Sequence, residues 1–156
     1  MDASNVTVRL AEPSDADAIG RLLHDFNAEF REPTPGPEVV AERMRELLPD
    51  GEPAVLLADP GPSGLAVLRF RPGIYSSAPE CYLAELYVVP DERGRGIGRA
   101  LMEAALDLAR TRGAEYIDLG TSEADVAARA LYESLGFSNR GGEPDGPVEY
   151  FYELDL

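Results

Sequence analysis

Leu86-Tyr87-Val88-Val89-Pro90-Asp91-Glu92-Arg93-Gly94-Arg95-Gly96-Ile97-Gly98 is the stretch on which the fold turns. It opens as the end of an apolar run that starts at Cys81, and Pro90 closes the run because proline has no N–H for a strand ladder. Such a run, apolar at both parities, reads as a strand covered on both faces. After Gly96 the period changes: Ile97, Ala100, Leu101, Ala104, Ala105, Leu108 and Ala109 recur at helical spacing, and Gly113 supplies the stop. The stretch is therefore strand, glycine turn and helix start. Glycines let main chain approach a ligand closely, and the first turn of a helix offers unpaired N–H groups and the positive end of its dipole. Phosphate is the natural guest. Arg93, Arg95 and Arg99 concentrate positive charge here in a chain whose formal charge is -15.

Outward from this centre the elements alternate in type. Ala54 to Ala58 and Leu65 to Phe70 flank Asp59-Pro60-Gly61-Pro62-Ser63-Gly64 and read as a hairpin. Pro37 opens a helix that buries Val40, Met44, Leu47 and Leu48 and ends at Pro49-Asp50-Gly51. Ser14-Asp15-Ala16-Asp17 has a capping pattern, and the helix it opens, Ser14 to Phe30, carries Ile19, Leu22, Leu23, Phe26 and Phe30 on one face. Val6 to Leu10 is a first strand. Downstream, Tyr116 to Leu119 is a strand, Ser122-Glu123-Ala124-Asp125 caps a helix running through Leu131 and Leu135 to Gly136, and Phe137 to Ser138 and Val148 to Leu154 read as closing strands. The order β-α-α-β-β-β-α-β-α-β-β predicts an α/β chain of the mixed-sheet, α+β kind. With neither repeat nor linker, residues 1–156 are expected to form a single domain.

Composition removes whole classes of function. A chain of 156 residues buries about two thirds of its unfolded surface without a metal or disulfide staple. All fourteen basic residues are Arg, which excludes Schiff-base lysine chemistry and the lysine of a nucleotide triphosphate loop. Cys81 is the only cysteine, so no internal disulfide or multi-cysteine zinc site exists, no metal is expected, and the thiol reads as a small buried apolar group. His24, the lone histidine, lies on a helix away from any nucleophile motif, which argues against a Ser-His-Asp or Cys-His site. The acidic balance repels nucleic acid and anionic membranes and favours cationic partners. No apolar run approaches about 18 residues and Met1 to Val8 lack signal-peptide character, so a cytoplasmic location is the expectation.

A dinucleotide site is the rival reading of the glycine loop, because Asp118 follows at the distance of a ribose-binding acid. The third glycine is misplaced, however: that fingerprint needs Gly at 99, where Arg stands, and too little chain follows Asp118 for the remaining strand and helix pairs. Instead Arg93-Gly94-Arg95-Gly96-Ile97-Gly98 resembles the acetyl-CoA loop of the GNAT acetyltransferase superfamily, whose pattern is Arg/Gln-x-x-Gly-x-Gly/Ala. Ala128-Arg129-Ala130-Leu131-Tyr132-Glu133-Ser134-Leu135-Gly136-Phe137 is similar to that family's later helix, which ends in Leu-Tyr-Glu-x-x-Gly-Phe. The resemblance is close from about Tyr82 to Phe137 and, through the element order, spans the chain.

What the resemblance implies is a GNAT-like three-layer fold and acetyl transfer from acetyl-CoA to an amine. The pantetheine arm is then expected beside the strand at Tyr87, Val88 and Val89, lying like an added strand in a gap opened by a bulge or splay, and the phosphates at Arg93, Gly94, Arg95, Gly96, Ile97, Gly98 and Arg99. Tyr132 matches the tyrosine that stands near the CoA sulfur, hence the expected acid. Asp125 occupies the place of a family asparagine that contacts the arm, and as a capping residue it has a structural reading as well. Glu85 is the candidate base because it interrupts an apolar strand; strand parity puts it on the face of Leu83 and Tyr87, opposite Ala84. Asp25 and Glu29, four residues apart on a helix, together with Tyr75, are candidates for holding a small cationic amine. A homodimer through the closing strands is an assembly the resemblance allows. A CoA-binding sensor without turnover is the second class of function.

Overall fold

Alternating side-chain direction along the strands decides how this protein is layered. The computed structural model describes residues 5–156, which divide into two compact units between Leu119 and Gly120. The first holds a five-stranded sheet in sequence order: β1 (Thr7–Leu10), β2 (Ala54–Asp59), β3 (Gly64–Arg71), β4 (Glu80–Val88) and β5 (Tyr116–Leu119). The first four pair antiparallel, and β5 runs parallel to β4, which a crossover through helix α3 (Ile97–Thr111) makes possible. Val55, Leu57, Leu65, Val67 and Tyr87 turn to one face and are buried there with Ile19, Leu22, Leu23, Met44 and Leu48 of the first helical layer. Leu56, Ala66 and Leu68, of opposite parity, are equally buried on the other face, where α3 supplies Leu101, Met102 and Ala105. Three layers result, as the sequence implies.

Close approach between layers depends on missing side chains. Helix α1 (Ala16–Glu29) crosses α2 (Pro37–Leu47) at Gly20, where an added Cβ would stand 2.4 Å from the Pro37 carbonyl oxygen and 2.9 Å from Ala41 Cβ. The start of α1 differs from the expected capping pattern at Ser14 and Asp17. A 3-10 turn, Pro13–Asp15, precedes the helix, and Asp15 Oδ2 accepts from the Glu12 N–H at 2.8 Å. Asp15 also holds the Arg9 guanidinium, which reaches Asp59 at 2.6 Å and so ties β1, β2 and the helix entry together. Asp17, free of a capping duty, pairs with Arg45 of α2.

The second unit, residues 120–156, contains helix α4 (Val126–Ser134). The two closing strands expected after it do not form. Ser138 Oγ accepts the N–H groups of Arg140 and Gly142, which turns the chain immediately after Phe137, and a side chain bonding locally in this way competes with a ladder. One main-chain bond, Glu149 N–H to Asn139 O at 2.7 Å, closes the loop; Val148 to Leu154 has strong strand propensity but gains no ladder among the described residues. No helix among those residues is long and apolar enough to cross a membrane.

Candidate active site

The feature that organises the site is a strand that outruns its partner. Pairing of β4 with β5 covers Glu80–Tyr116 to Leu83–Leu119 and stops, while β4 continues to Val88. The stop coincides with a bulge: Val67 faces Glu85 and Leu68 faces Leu83, so Ala84 has no partner on β3. Beyond it, main-chain direction is set by one bond. Val89 N–H donates to Ser63 O at 2.9 Å on the β3 side, so Tyr87, of the same parity, also turns its N–H and carbonyl to β3. Leu86 and Val88 turn theirs to the open side. The expected trio Tyr87, Val88 and Val89 is therefore only in part the group with free main chain. Leu86 belongs to it and Tyr87 and Val89 do not.

The bulge also corrects the parity of Glu85. Cross-strand partners share a face, so Glu85 lies on the face of Val67 and Tyr87, while Leu83, across from Leu68, lies on the other. Glu85 thus keeps the company of Tyr87 but not of Leu83. It is half-buried, and burial raises its carboxyl above the ordinary range, an effect partly opposed by the Arg69 guanidinium. Tyr87 is buried and stacks on Phe26 of α1 with ring centroids 5.0 Å apart. Its phenol is raised by burial, then by Glu29 and Asp25.

After a 3-10 turn at Pro90–Glu92 the glycine loop leads into α3. Gly94 has φ +78° and Gly96 has φ +82°, conformations that cost an L side chain about 1–2 kcal/mol. An added Cβ at Gly94 would meet no atom within 4 Å, so the loop leaves room above its main chain. Ile97 starts the helix and is buried, and Ala100 N–H returns to Gly96 O at 3.0 Å. Gly98 and Arg99 follow in the first turn, where helix N–H groups lack intrahelical acceptors. Arg95 pairs with Glu92 at 3.0 Å, and Arg93 with both Glu29 carboxylate oxygens at 2.9 Å and with Val88 O at 2.9 Å.

Other expected site residues fall elsewhere. Tyr75 is fully exposed in the β3–β4 loop and lines a cleft of about 200 Å³ with Gly73, Glu80, Glu115 and Tyr116. That cleft is at the start of β4, whereas Asp25 and Glu29 lie by Tyr87 near its end, about 25 Å along a nine-residue strand. The structure does not bring Tyr75 together with them. Cys81 is fully buried and its thiol is pushed up to about 11 by burial, an inert core group. His24 Nδ1 lies 2.6 Å from Thr34 Oγ1, within the α1–α2 connection.

In the second unit Asp125 is the N-cap of α4, its Oδ1 accepting from Ala128 N–H at 3.2 Å. The helix thus begins three residues later than a cap at Ser122 implies. Its end explains much of the Leu-Tyr-Glu-x-x-Gly-Phe motif. Gly136, at φ +97°, donates to Glu133 O, Phe137 N–H reaches back to Tyr132 O at 3.1 Å, and the Phe137 ring lies 5.9 Å from the Tyr132 ring. This is a Schellman stop with its hydrophobic contact. Tyr132 is buried, and burial, then Asp125, push its phenol up to about 12.

Comparison with known proteins identifies the family. The Acetyltransferase (GNAT) family matches residues 19–137. An uncharacterised N-acetyltransferase of Bacillus subtilis, YhfO, is 30% identical over 141 residues, 88% of this chain and 93% of the relative. Aminoglycoside N(6')-acetyltransferase type 1 of Stenotrophomonas maltophilia is 32% identical over 143 residues, 88% of this chain and 89% of the relative. A crystal structure of a protein from Arthrobacter sp. FB24 shares 43% identity and superimposes with a TM-score of 0.85 over 95% of each chain. A family match across most of its length, carried by full-length relatives and the same fold, means that the chain belongs to the Acetyltransferase (GNAT) family and is an acetyltransferase.

Proposed function

We propose that this enzyme transfers the acetyl group of acetyl-CoA to a primary amine, and that the acceptor is a small cationic molecule. The observation that carries the proposal is the open edge of β4, Leu86 to Val88, leading directly into a glycine loop and a helix N-terminus. An extended chain of amides adds to such an edge as a strand would, and a pyrophosphate at its far end meets N–H groups and positive charge. Acetyl-CoA has both parts in that order, and supplies a thioester whose C–S bond breaks as the C–N bond to the amine forms.

The residues of this chain then divide the work. Leu86 and Val88 hold the arm by main-chain bonds, and the main chain of residues 94–99 holds the phosphates, with Arg95 and Arg99 adding charge. Glu85, with its raised pKa, is a better base at neutral pH than an ordinary carboxylate and accepts the proton that the attacking ammonium must lose. Tyr132 enters through the resemblance of its helix motif. With a phenol near 12 it stays protonated at every physiological pH, so its part is to donate a hydrogen bond to the leaving sulfur rather than to surrender its proton outright. Asp125 enters through the same resemblance, and it caps α4 as well.

For the acceptor, a net charge of -15 and Asp25 on the exposed side of α1 favour a cation. The relative named for aminoglycosides acts on amines of that class. A thermal melt tests the donor: acetyl-CoA at a hundredfold excess over its dissociation constant should add about 2.7 kcal/mol, and NADH nothing. A shift with NADH and none with acetyl-CoA would overturn the proposal.

A further inference from the structure

The first residue of the glycine loop is held by β4 and α1. The Arg93 guanidinium turns back across the end of β4, where Nε donates to Val88 O and Nη2 donates to both oxygens of Glu29, the last residue of α1, each at 2.9 Å. It lies over the Tyr87 ring, 5.6 Å from the centroid, and that ring is stacked in turn on Phe26, one turn before Glu29. Four contacts from two elements fix one side chain. A carboxylate beside a polyanion site is electrostatically unfavourable, so attraction for the donor does not account for Glu29. The carbonyl it helps to cap does. Val88 O is one of the main-chain groups on the open edge, and with Arg93 in place it is already used.

We propose that Glu29 and Arg93 are a positioning pair for the acyl donor: Glu29 holds the Arg93 guanidinium on the Val88 carbonyl, which ends the open edge of β4 and leaves Leu86 N–H, Leu86 C=O and Val88 N–H as the groups that set the register of the donor's amide chain. The pair rests on the reading of the open edge as an acetyl-CoA site. It assigns Glu29 to the donor side, not to an acceptor pocket, and makes Arg93 a holder of main chain, not a phosphate ligand.

The competing roles differ in sign. If Arg93 were a phosphate ligand restrained by Glu29, Glu29→Gln would remove a negative charge, release the arginine and tighten acetyl-CoA binding. A positioning pair requires the reverse, a weakening of roughly two- to fivefold, the range of a partly exposed ion pair. Arg93→Lys keeps the charge but cannot reach three oxygens on two elements, and should weaken binding to the same extent; the double variant should be no worse than either single one. Binding is measured by titration calorimetry with acetyl-CoA. Loss of register misplaces the thioester, so at saturating acetyl-CoA kcat should fall in Glu29→Gln while the amine's KM stays unchanged, whereas loss of an acceptor-pocket carboxylate would raise that KM. Ligand-free melts establish that each variant is folded, with Glu29→Asp as the substitute should Glu29→Gln not fold. Tighter or unchanged binding by the variants, or additive losses, overturns the pair while the parent still binds. Absence of binding by the parent overturns the donor reading, and this inference with it.

Discussion

Gly94→Ala separates the backbone strain of the loop from its contact with a ligand. At φ +78° an alanine costs about 1–2 kcal/mol, and because an added Cβ meets no atom within 4 Å, strain is the whole cost in the free protein. In a chain of this length that lowers Tm by roughly 2–8 °C. Gly142, at φ +82° with equally open surroundings, is a matched control, and Gly142→Ala should lose a similar amount. The two variants should part when acetyl-CoA is added. If the phosphates rest on the main chain at Gly94, the methyl group displaces them from at least one charge-assisted hydrogen bond, worth about 1.5–3 kcal/mol, or roughly 10- to 150-fold in affinity. At a hundredfold excess over the parent's dissociation constant the parent gains about 2.7 kcal/mol; a variant weakened thirtyfold gains about 0.9 kcal/mol. Melting curves with and without ligand read both quantities. An alanine at 94 that lowers Tm as its control does but leaves the ligand shift whole would show that phosphate does not approach the loop there, and would refute a main-chain phosphate site at Gly94.

Main-chain direction on β4 makes a sharper forecast: on adding acetyl-CoA, amide exchange at Leu86 and Val88 should slow, while Tyr87 and Val89, bonded to β3 already, should change little. Protection confined to Tyr87 and Val89 would mean that the open side of the strand belongs to the opposite parity. Glu85→Gln should lower turnover by roughly 10²- to 10⁴-fold while leaving acetyl-CoA affinity intact. It should also stabilise the fold at neutral pH. The Glu85 carboxyl is raised in the folded state, so the folded chain binds the proton more tightly and stability falls as pH rises from the unfolded value through the folded one; the glutamine variant lacks that loss. Denaturant curves at pH 4 and pH 7 should therefore converge at the lower pH and separate at the higher, and a variant less stable than the parent at pH 7 would contradict the sign.

Much of the fold was legible because local signals and long-range packing agree. The apolar run before Pro90, the helical period after Gly96 and the turn-rich hairpin loop each name one structure, and β2, β3, β4, α3 and the order of elements as far as α4 follow. The Gly136 stop was legible too, although Tyr132 and Phe137 serve that stop as well as any chemistry. What could not be read was set by partners distant in sequence. The bulge at Ala84 leaves no mark on the run Leu83-Ala84-Glu85-Leu86, because it is visible only against Val67 and Leu68. Glu29 and Arg93 meet across 64 residues, so Glu29 looked like half of an i, i+4 acidic pair with Asp25. Tyr75 looked close to Asp25 and Glu29 because it precedes β4, yet those two lie by Tyr87, near that strand's other end. The closing strands had the right propensity, yet neither forms a ladder among the described residues.

That this site moves an acetyl group to an amine is tested most directly by measuring free thiol released from acetyl-CoA against a panel of amines, with the acetylated product quantified by mass spectrometry. Thiol release should need both protein and amine, match acetylated product one for one, and be fastest with small polycationic amines. Saturable acetyl-CoA binding with no thiol released on any amine would contradict acetyl transfer and leave a CoA-binding sensor in its place.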